Sequence, residues 1–60
     1  MLYLSTLLIE HHELQNFEAL VALIKQVKVE SNERFFRIDV RPPYPDTPEN
    51  WEDRLESAFY

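Results

Sequence analysis

Residues 42–48 read PPYPDTP, and residues 50–60 continue with NWEDRLESAFY. The first stretch contains all four prolines of the chain. Each proline holds φ at about −65° and lacks a backbone donor, so we predict a stiff, extended strut that ends any strand before it. In the second stretch Trp51, Leu55 and Phe59 recur every four residues, which predicts one face of a short C-terminal helix.

The start of this helix has its own signals. Asp46 or Thr47 is the expected N-cap, because short polar side chains accept hydrogen bonds from the first free amides of a helix. Pro48 then falls in the first turn, where its missing N–H group costs nothing. We therefore expect the C-terminal helix to begin at Pro48.

The aromatic face of this helix is the leading candidate for a partner-binding surface. Trp51, Leu55 and Phe59 are spaced like the anchors of a helix that lies in a hydrophobic groove, and Tyr44 in the strut would extend the contact. Alternatively, the same residues fold back over the chain's own helix and sheet and fill a small core. The two arrangements are compatible if two chains exchange their C-terminal segments in a dimer, because each helix would then fill a core and bind a partner.

The N-terminal half contains no helix breaker, since the chain has no glycine and no proline before residue 42. A seven-residue spacing predicts the core-facing seam of a helix over about residues 5–27. One seam position holds Leu7, Leu14 and Val21, and the other holds Tyr3, Phe17 and Ile24.

A second interpretation divides the same stretch differently. Residues 1–9 would form a buried strand, residues 10–15 a connector, and Asn16 would cap a helix that begins there. Leucine favours helix over strand, which supports the long helix, but the sequence leaves both interpretations open.

Residues 34–41, RFFRIDVR, alternate with a period of two, which predicts a half-buried strand. Residues 27–30, VKVE, alternate in the same way, and residues 31–33, SNE, are turn formers. We therefore predict a β-hairpin over about residues 27–41. The outward side of its second strand would carry Phe35, Arg37, Asp39 and Arg41.

The predicted fold class is thus α+β, with residues 1–60 as a single small domain. Its parts are a helix at about 5–27, a hairpin at about 27–41, a proline strut at 42–48 and a C-terminal helix at about 48–59. A chain of this size buries only about 60% of its unfolded surface, and it has no cysteine for a disulfide. We therefore expect association with another protein chain, as a homodimer or a hetero-complex.

The net charge of −5 is distributed unevenly. Residues 1–33 carry five acids and two lysines (−3), residues 34–41 three arginines and one acid (+2), and residues 42–60 five acids and one arginine (−4). Phe35, Arg37 and Arg41 form a secondary surface that could bind single-stranded nucleic acid. The alternative is that acids of neighbouring elements pair with the arginines while Phe35 packs under a helix. The acidic balance argues against nucleic acid as a partner.

No motif in the sequence predicts catalysis or a cofactor. Residues 10–13, EHHE, hold the densest group of candidate metal ligands, but adjacent histidines diverge by about 100° on a helix. There is no Gly-rich loop and no cysteine nucleophile. We expect a protein that is not an enzyme, with no metal, cofactor or small-molecule substrate.

The apolar residues 2–9 are too few to cross a bilayer, which needs about 20, and no basic leader precedes them. We expect a cytoplasmic protein with no membrane contact. The predicted function is that of a small acidic regulator (an inhibitor, adaptor or accessory subunit) acting through the C-terminal helix. The alternative is a nucleic-acid mimic that blocks a basic groove, and direct nucleic-acid binding through the arginine strand comes third.

Overall fold

The computed structural model describes all 60 residues and has a mixed α+β fold with three helices and a two-stranded parallel sheet. In chain order the elements are β1 (Leu2–Tyr3), α1 (Leu4–Glu10), α2 (Phe17–Ser31), β2 (Phe36–Arg37) and α3 (Trp51–Phe59). None of the three helices combines the length and the apolar character that crossing a bilayer requires.

The single helix expected over residues 5–27 is wrong, because two helices occupy that stretch. Helix α1 ends at Glu10, because the backbone of the next residue, His11, has left the helical region (φ −118°, ψ 55°). Helix α2 begins after Asn16, whose side chain accepts a hydrogen bond from the amide of Ala19 at 2.8 Å. The second interpretation thus had the cap of α2 right, but only Leu2–Tyr3 of its strand forms. A local cap replaces a continuous helix here, since asparagine competes with helical backbone bonds.

The hairpin expected over residues 27–41 is also wrong. Residues 27–31 complete helix α2, and Asn32 then takes the left-handed conformation (φ 58°), which ends the helix without a glycine. Strand β2 instead pairs in parallel with β1, in the register Leu2 opposite Phe36 and Tyr3 opposite Arg37. The turn formers therefore terminate a helix, and the strand partner comes from the start of the chain.

The core lies between α2 and α3 and is closed by α1 and the sheet. Phe17, Val21 and Ile24 are all buried there, which confirms the part of the predicted seam that lies on α2. Tyr3 was placed on the same seam and is exposed, because it belongs to β1 and not to a helix. The rings of Phe36 and Phe59 stack with their centroids 5.2 Å apart, so β2 and α3 meet through aromatic side chains. The ten buried core residues are Leu4, Leu7, Phe17, Leu20, Val21, Ile24, Phe36, Leu55, Ala58 and Phe59.

The segment between β2 and α3, which contains the proline strut predicted at residues 42–48, packs against the body of the protein. Pro42 is buried, and the half-buried Tyr44 packs against the core. The amide of Thr47 donates to the carbonyl of Tyr44 at 3.1 Å, which closes a turn. Helix α3 begins only at Trp51, not at Pro48.

Two carboxylates of this segment cap helices that lie far away in sequence. Asp39 accepts hydrogen bonds from the amide and the hydroxyl of Ser5, at 3.0 and 2.7 Å, in the first turn of α1. Asp46 accepts from the amide of Phe17 at 2.8 Å, at the start of α2. The expectation that Asp46 caps α3 is therefore wrong. Free amides and the helix dipole favour a carboxylate at each of these ends.

Candidate interaction surface

Two of the four residues expected to bind a partner lie in the protein's own core. Leu55 and Phe59 are buried against α2 and against Phe36, so the folded chain does not offer them to a partner. This corrects their assignment as surface anchors and agrees with the alternative in which α3 folds back over the chain. With ten core residues in all, the fold cannot leave the apolar face of α3 uncovered.

The other two, Trp51 and Tyr44, are half-buried and pack on the edge of the core. Burial raises the pKa of the Tyr44 phenol above its ordinary value of 10.0, and the negative charge of Glu13 raises it further. Both aromatic side chains therefore serve mainly to close the core, with one side of each still in contact with solvent.

The polar side of α3 is locked to α2. The Arg54 guanidinium donates to both carboxylate oxygens of Glu18, at 2.6 and 3.0 Å, and lies 5.2 Å from the centre of the Phe17 ring. Hydrogen bonds from Arg54 lower the pKa of Glu18, and the same bonds raise the pKa of Arg54. Planar two-point pairing of this kind fixes orientation as well as distance.

An open groove of about 310 Å³ lies between α2 and α3. Its lining is mostly polar and comprises Val21, Lys25, Asn50, Asp53, Arg54, Ser57 and Ala58.

The side chains of residues 10–13 do not assemble a metal centre. His11 Nδ1 lies 3.2 Å from Glu13 Oε1, but no group of three or more ligand-type side chains forms around them. The pKa of Glu13 is lowered, first by a hydrogen bond with its own backbone amide and then by His11. The pair is an exposed surface contact.

The outward side of the sheet carries large apolar residues in contact with solvent. Because side chains alternate along a strand, the pairing that directs Leu2 and Phe36 toward the core turns their neighbours away from it. Met1, Tyr3 and Phe35 are 63%, 41% and 62% exposed, and Arg37 beside them is exposed as well. We call these four residues the outer ribbon face.

The arginines near this face are free of ion pairs. Arg34, Arg37 and Arg41 are exposed, and none of them belongs to the ion pairs of the structure, which link Met1 with Glu33, His11 with Glu13 and Arg54 with Glu18. The alternative in which these arginines pair with acids and Phe35 packs under a helix is therefore wrong.

Asp39, the acid of the same stretch, is held at the start of α1. The hydroxyl and the amide of Ser5 lower its pKa by donating to the carboxylate, and the charge of Arg37 lowers it further. A basic and partly apolar surface thus remains on a chain whose net charge is −5.

Tyr60 is a contact residue that the sequence did not reveal. Its hydroxyl oxygen accepts a hydrogen bond from the amide of Phe36 at 3.2 Å, and its ring meets Phe59 edge to face at 4.9 Å. Lys28 Nζ donates to its carbonyl oxygen at 3.2 Å. No periodicity marks this residue, because its partner lies 24 positions away on a strand.

Comparison with known proteins adds no relative. No protein-family model matches the chain, and neither a curated protein sequence nor a solved structure resembles it at a significant level.

Proposed function

We propose that this chain is a small acidic binding protein without enzymatic activity, of the inhibitor, adaptor or accessory-subunit kind, and that it contacts its partner through the outer ribbon face. One observation carries the proposal. Met1, Tyr3 and Phe35 are grouped on one side of the sheet and exposed together. Single exposed apolar residues are ordinary, but a grouped apolar face rimmed by polar residues is typical of an interaction site.

The composition of the face agrees with this role. Aromatic side chains, methionine and arginine are enriched in protein interfaces, and this face contains all three kinds. Phe35 is the central candidate anchor, because it combines high exposure with a rigid ring whose burial would contribute much of the binding energy. Arg37 and Arg41 would orient an acidic partner and increase the rate of encounter.

The proposed partner-binding surface therefore lies on the sheet and not on α3. The secondary surface predicted from the sequence, Phe35 with Arg37 and Arg41, becomes the main one. Leu55 and Phe59 stabilise the protein itself. Trp51 supports the interface indirectly, by packing on the core.

A nucleic-acid mimic is the second candidate. Its support is the exposed acidic side of α3, where Glu52, Asp53 and Glu56 lie together on a short helix. Such a protein would occupy a basic groove and would lose affinity steeply as salt rises. Direct nucleic-acid binding has weaker support, since three arginines face solvent on a chain of net charge −5.

Affinity capture with matched variants tests the proposal. We expect Phe35→Ser to lose the proteins that the native chain retains, while Glu52→Gln, a change of one charge at an exposed position of α3, retains them. The captures are compared at low and high salt and after nuclease treatment. Loss of the same proteins by Glu52→Gln but not by Phe35→Ser would favour the mimic and reject the outer ribbon face.

Association of the chain with itself is a separate prediction. Light scattering over a concentration series, for native protein and Phe35→Ser, measures it. If the native chain forms a dimer through the outer ribbon face, the variant is expected to scatter as a monomer. A native monomer at every concentration would leave a different protein as the partner.

A further inference from the structure

The outer edge of strand β2 is partly occupied by a side chain. In the parallel pair, Leu2 donates its amide to the carbonyl of Phe35 at 2.9 Å, and Leu2 lies opposite Phe36. This register directs the amide and carbonyl of Phe36 away from β1, to the open edge. There the amide meets the hydroxyl of Tyr60 at 3.2 Å. A tyrosine thus takes one position that a third strand would use.

The next position on the same edge is vacant. Backbone groups on one edge recur every second residue, so Ile38, the first residue after β2, is the next position that a longer strand would use. Ile38 takes no part in the backbone hydrogen bonds found outside the helices and strands, and no side chain bonds to its amide. An edge with unpaired backbone groups is a template for another strand.

We propose that an extended acidic segment of the partner protein adds to the outer edge of β2 and displaces the hydroxyl of Tyr60. This inference rests on the proposed function and states how the partner is recognised. Addition of a strand supplies affinity through main-chain hydrogen bonds and specificity through alternate side chains.

Charge complementarity identifies the occupant. Arg34, Arg37 and Arg41 are exposed along the chain around this edge, and none of them forms an ion pair. The carboxylate of Asp39, held by Ser5, is one negative charge beside Arg37, so residues 34–41 keep an excess of two positive charges. A segment with acids at alternate positions would place them on the face of Arg37, while its apolar positions would lie on the opposite face, beside Phe36 and Ile38. A basic segment would be drawn to the acidic side of α3 instead.

The hydroxyl of Tyr60 and an added strand would compete for the amide of Phe36. The side chain of Tyr60 is 65% exposed, so displacement of the hydroxyl uncovers little further apolar surface. The hydrogen bond must break before a strand can pair at Phe36. A variant that lacks the hydroxyl should therefore bind an added strand more tightly, by about the worth of one neutral hydrogen bond, or about two- to tenfold.

The experiment uses a blocked eight-residue peptide of alternating glutamate and valine, titrated into the full chain labelled with ¹⁵N. We expect saturable changes at the amide signals of Phe36 and Ile38, and binding about two- to tenfold tighter for Tyr60→Phe than for the native chain. Tyr44→Phe is the matched control, because it also removes a tyrosine hydroxyl, but from a half-buried residue on the edge of the core that has no hydrogen bond to the strand edge. It should bind like the native chain. Thermal melts verify that both variants are folded.

Two further peptides separate strand addition from simple charge attraction. A version with N-methyl groups on alternate residues keeps every charge and side chain but loses the donors of one edge, so it should bind at least about tenfold more weakly. A lysine–valine version should also bind weakly. Equal affinity of the methylated peptide, or equal affinity of Tyr60→Phe and the native chain, would overturn the inference.

The outcomes also distinguish this inference from the proposed function. If Phe35→Ser loses its captured partner while the peptide leaves Phe36 and Ile38 unchanged, the function stands and strand addition is wrong. If the signals of Phe36 and Ile38 change with protein concentration alone, the occupant is a second copy of this chain, and the acidic partner segment is wrong. If the peptide binds at the edge but Phe35→Ser captures the same proteins as the native chain, the outer ribbon face is not the partner surface, while strand addition at the edge of β2 is still supported.

Discussion

Helix α3 and the β1–β2 sheet use their aromatic residues in opposite ways. Helix α3 directs Phe59 into the core together with Leu55, whereas the sheet buries Phe36 and leaves Phe35 exposed. Both segments are rich in aromatic residues in the sequence, yet only one keeps them on the surface. An aromatic stripe indicates a binding surface only if it remains uncovered once the core is complete, and in a chain of 60 residues the core requires nearly every regular stripe.

The sharpest test of this contrast compares two phenylalanines. Phe17→Ala empties a fully buried position and should lower the free energy of unfolding by about 3–5 kcal/mol. The whole stability expected for a chain of this size is about 3–9 kcal/mol, so this variant should be largely unfolded. Phe35→Ala, at an exposed position, should change stability by less than about 0.5 kcal/mol. Urea unfolding followed by circular dichroism measures both.

Leu8, which is half-buried on α1, serves as the intermediate control. Its replacement by alanine should fall between the two phenylalanine variants. A native melt for Phe17→Ala combined with unfolding of Leu8→Ala would mean that the core face of α2 is wrongly assigned.

The second test concerns Trp51, one of the anchors that the sequence predicted for a partner. Because it is half-buried on the edge of the core, Trp51→Ala should destabilise the protein by about 1–3 kcal/mol and leave partner capture intact below the melting temperature. Thermal melts and affinity capture on the same sample separate the two effects. If Trp51→Ala melts like the native chain but no longer captures the partner, α3 is the binding element and the sheet is not.

A smaller effect is expected where segment 38–50 caps α2. Asp46→Ala removes the acceptor for the amide of Phe17 and should cost about 1 kcal/mol. Asn16→Ala, which removes the local cap at Ala19, should cost a similar amount. Chemical denaturation of the two single variants and the double variant measures whether the caps act together. No effect of Asp46→Ala would mean that this segment contributes nothing to α2.

The smallest effect is a pH dependence at Asp39. Because the folded pKa of Asp39 lies below its ordinary value of 3.8, the unfolded chain binds its proton more readily. The stabilisation is therefore fully present above pH 3.8 and is lost as the pH falls through the lower folded value. Asp39→Asn should flatten this part of the stability curve in acid melts. An identical acid profile for the variant would show that Ser5 does not hold the carboxylate in solution.

Short-range patterns predicted the parts of the molecule that local forces decide. The core face of α2, with Phe17 and Ile24, follows from apolar spacing. The cap at Asn16 follows from side-chain chemistry, although only the second of two interpretations had it. Around Phe36 the apolar residues recur with a period of two, and along α3 they recur with a period of about 3.6. The sequence therefore predicted a strand and a helix there.

Long-range pairings were not predictable from those patterns. The alternation along β2 is the same for an antiparallel neighbour in sequence and for a distant parallel strand. The sequence of β2 therefore does not show that its partner is β1. Asp46 could cap a helix after it or before it, and only packing decided for α2. The candidate site shared this limit: Phe35 and Arg37 were named from the sequence, but Tyr60 was not.

The sequence by itself determined which residues can form helices and strands, because spacing and capping act within a few positions of the chain. It also determined the uneven charge, with a basic stretch at residues 34–41. The tertiary structure alone decided which apolar faces became core and which stayed exposed. Burial depends on how all the elements pack together: α3 places Leu55 and Phe59 in the core, where Phe59 stacks on Phe36, and no element packs over Phe35.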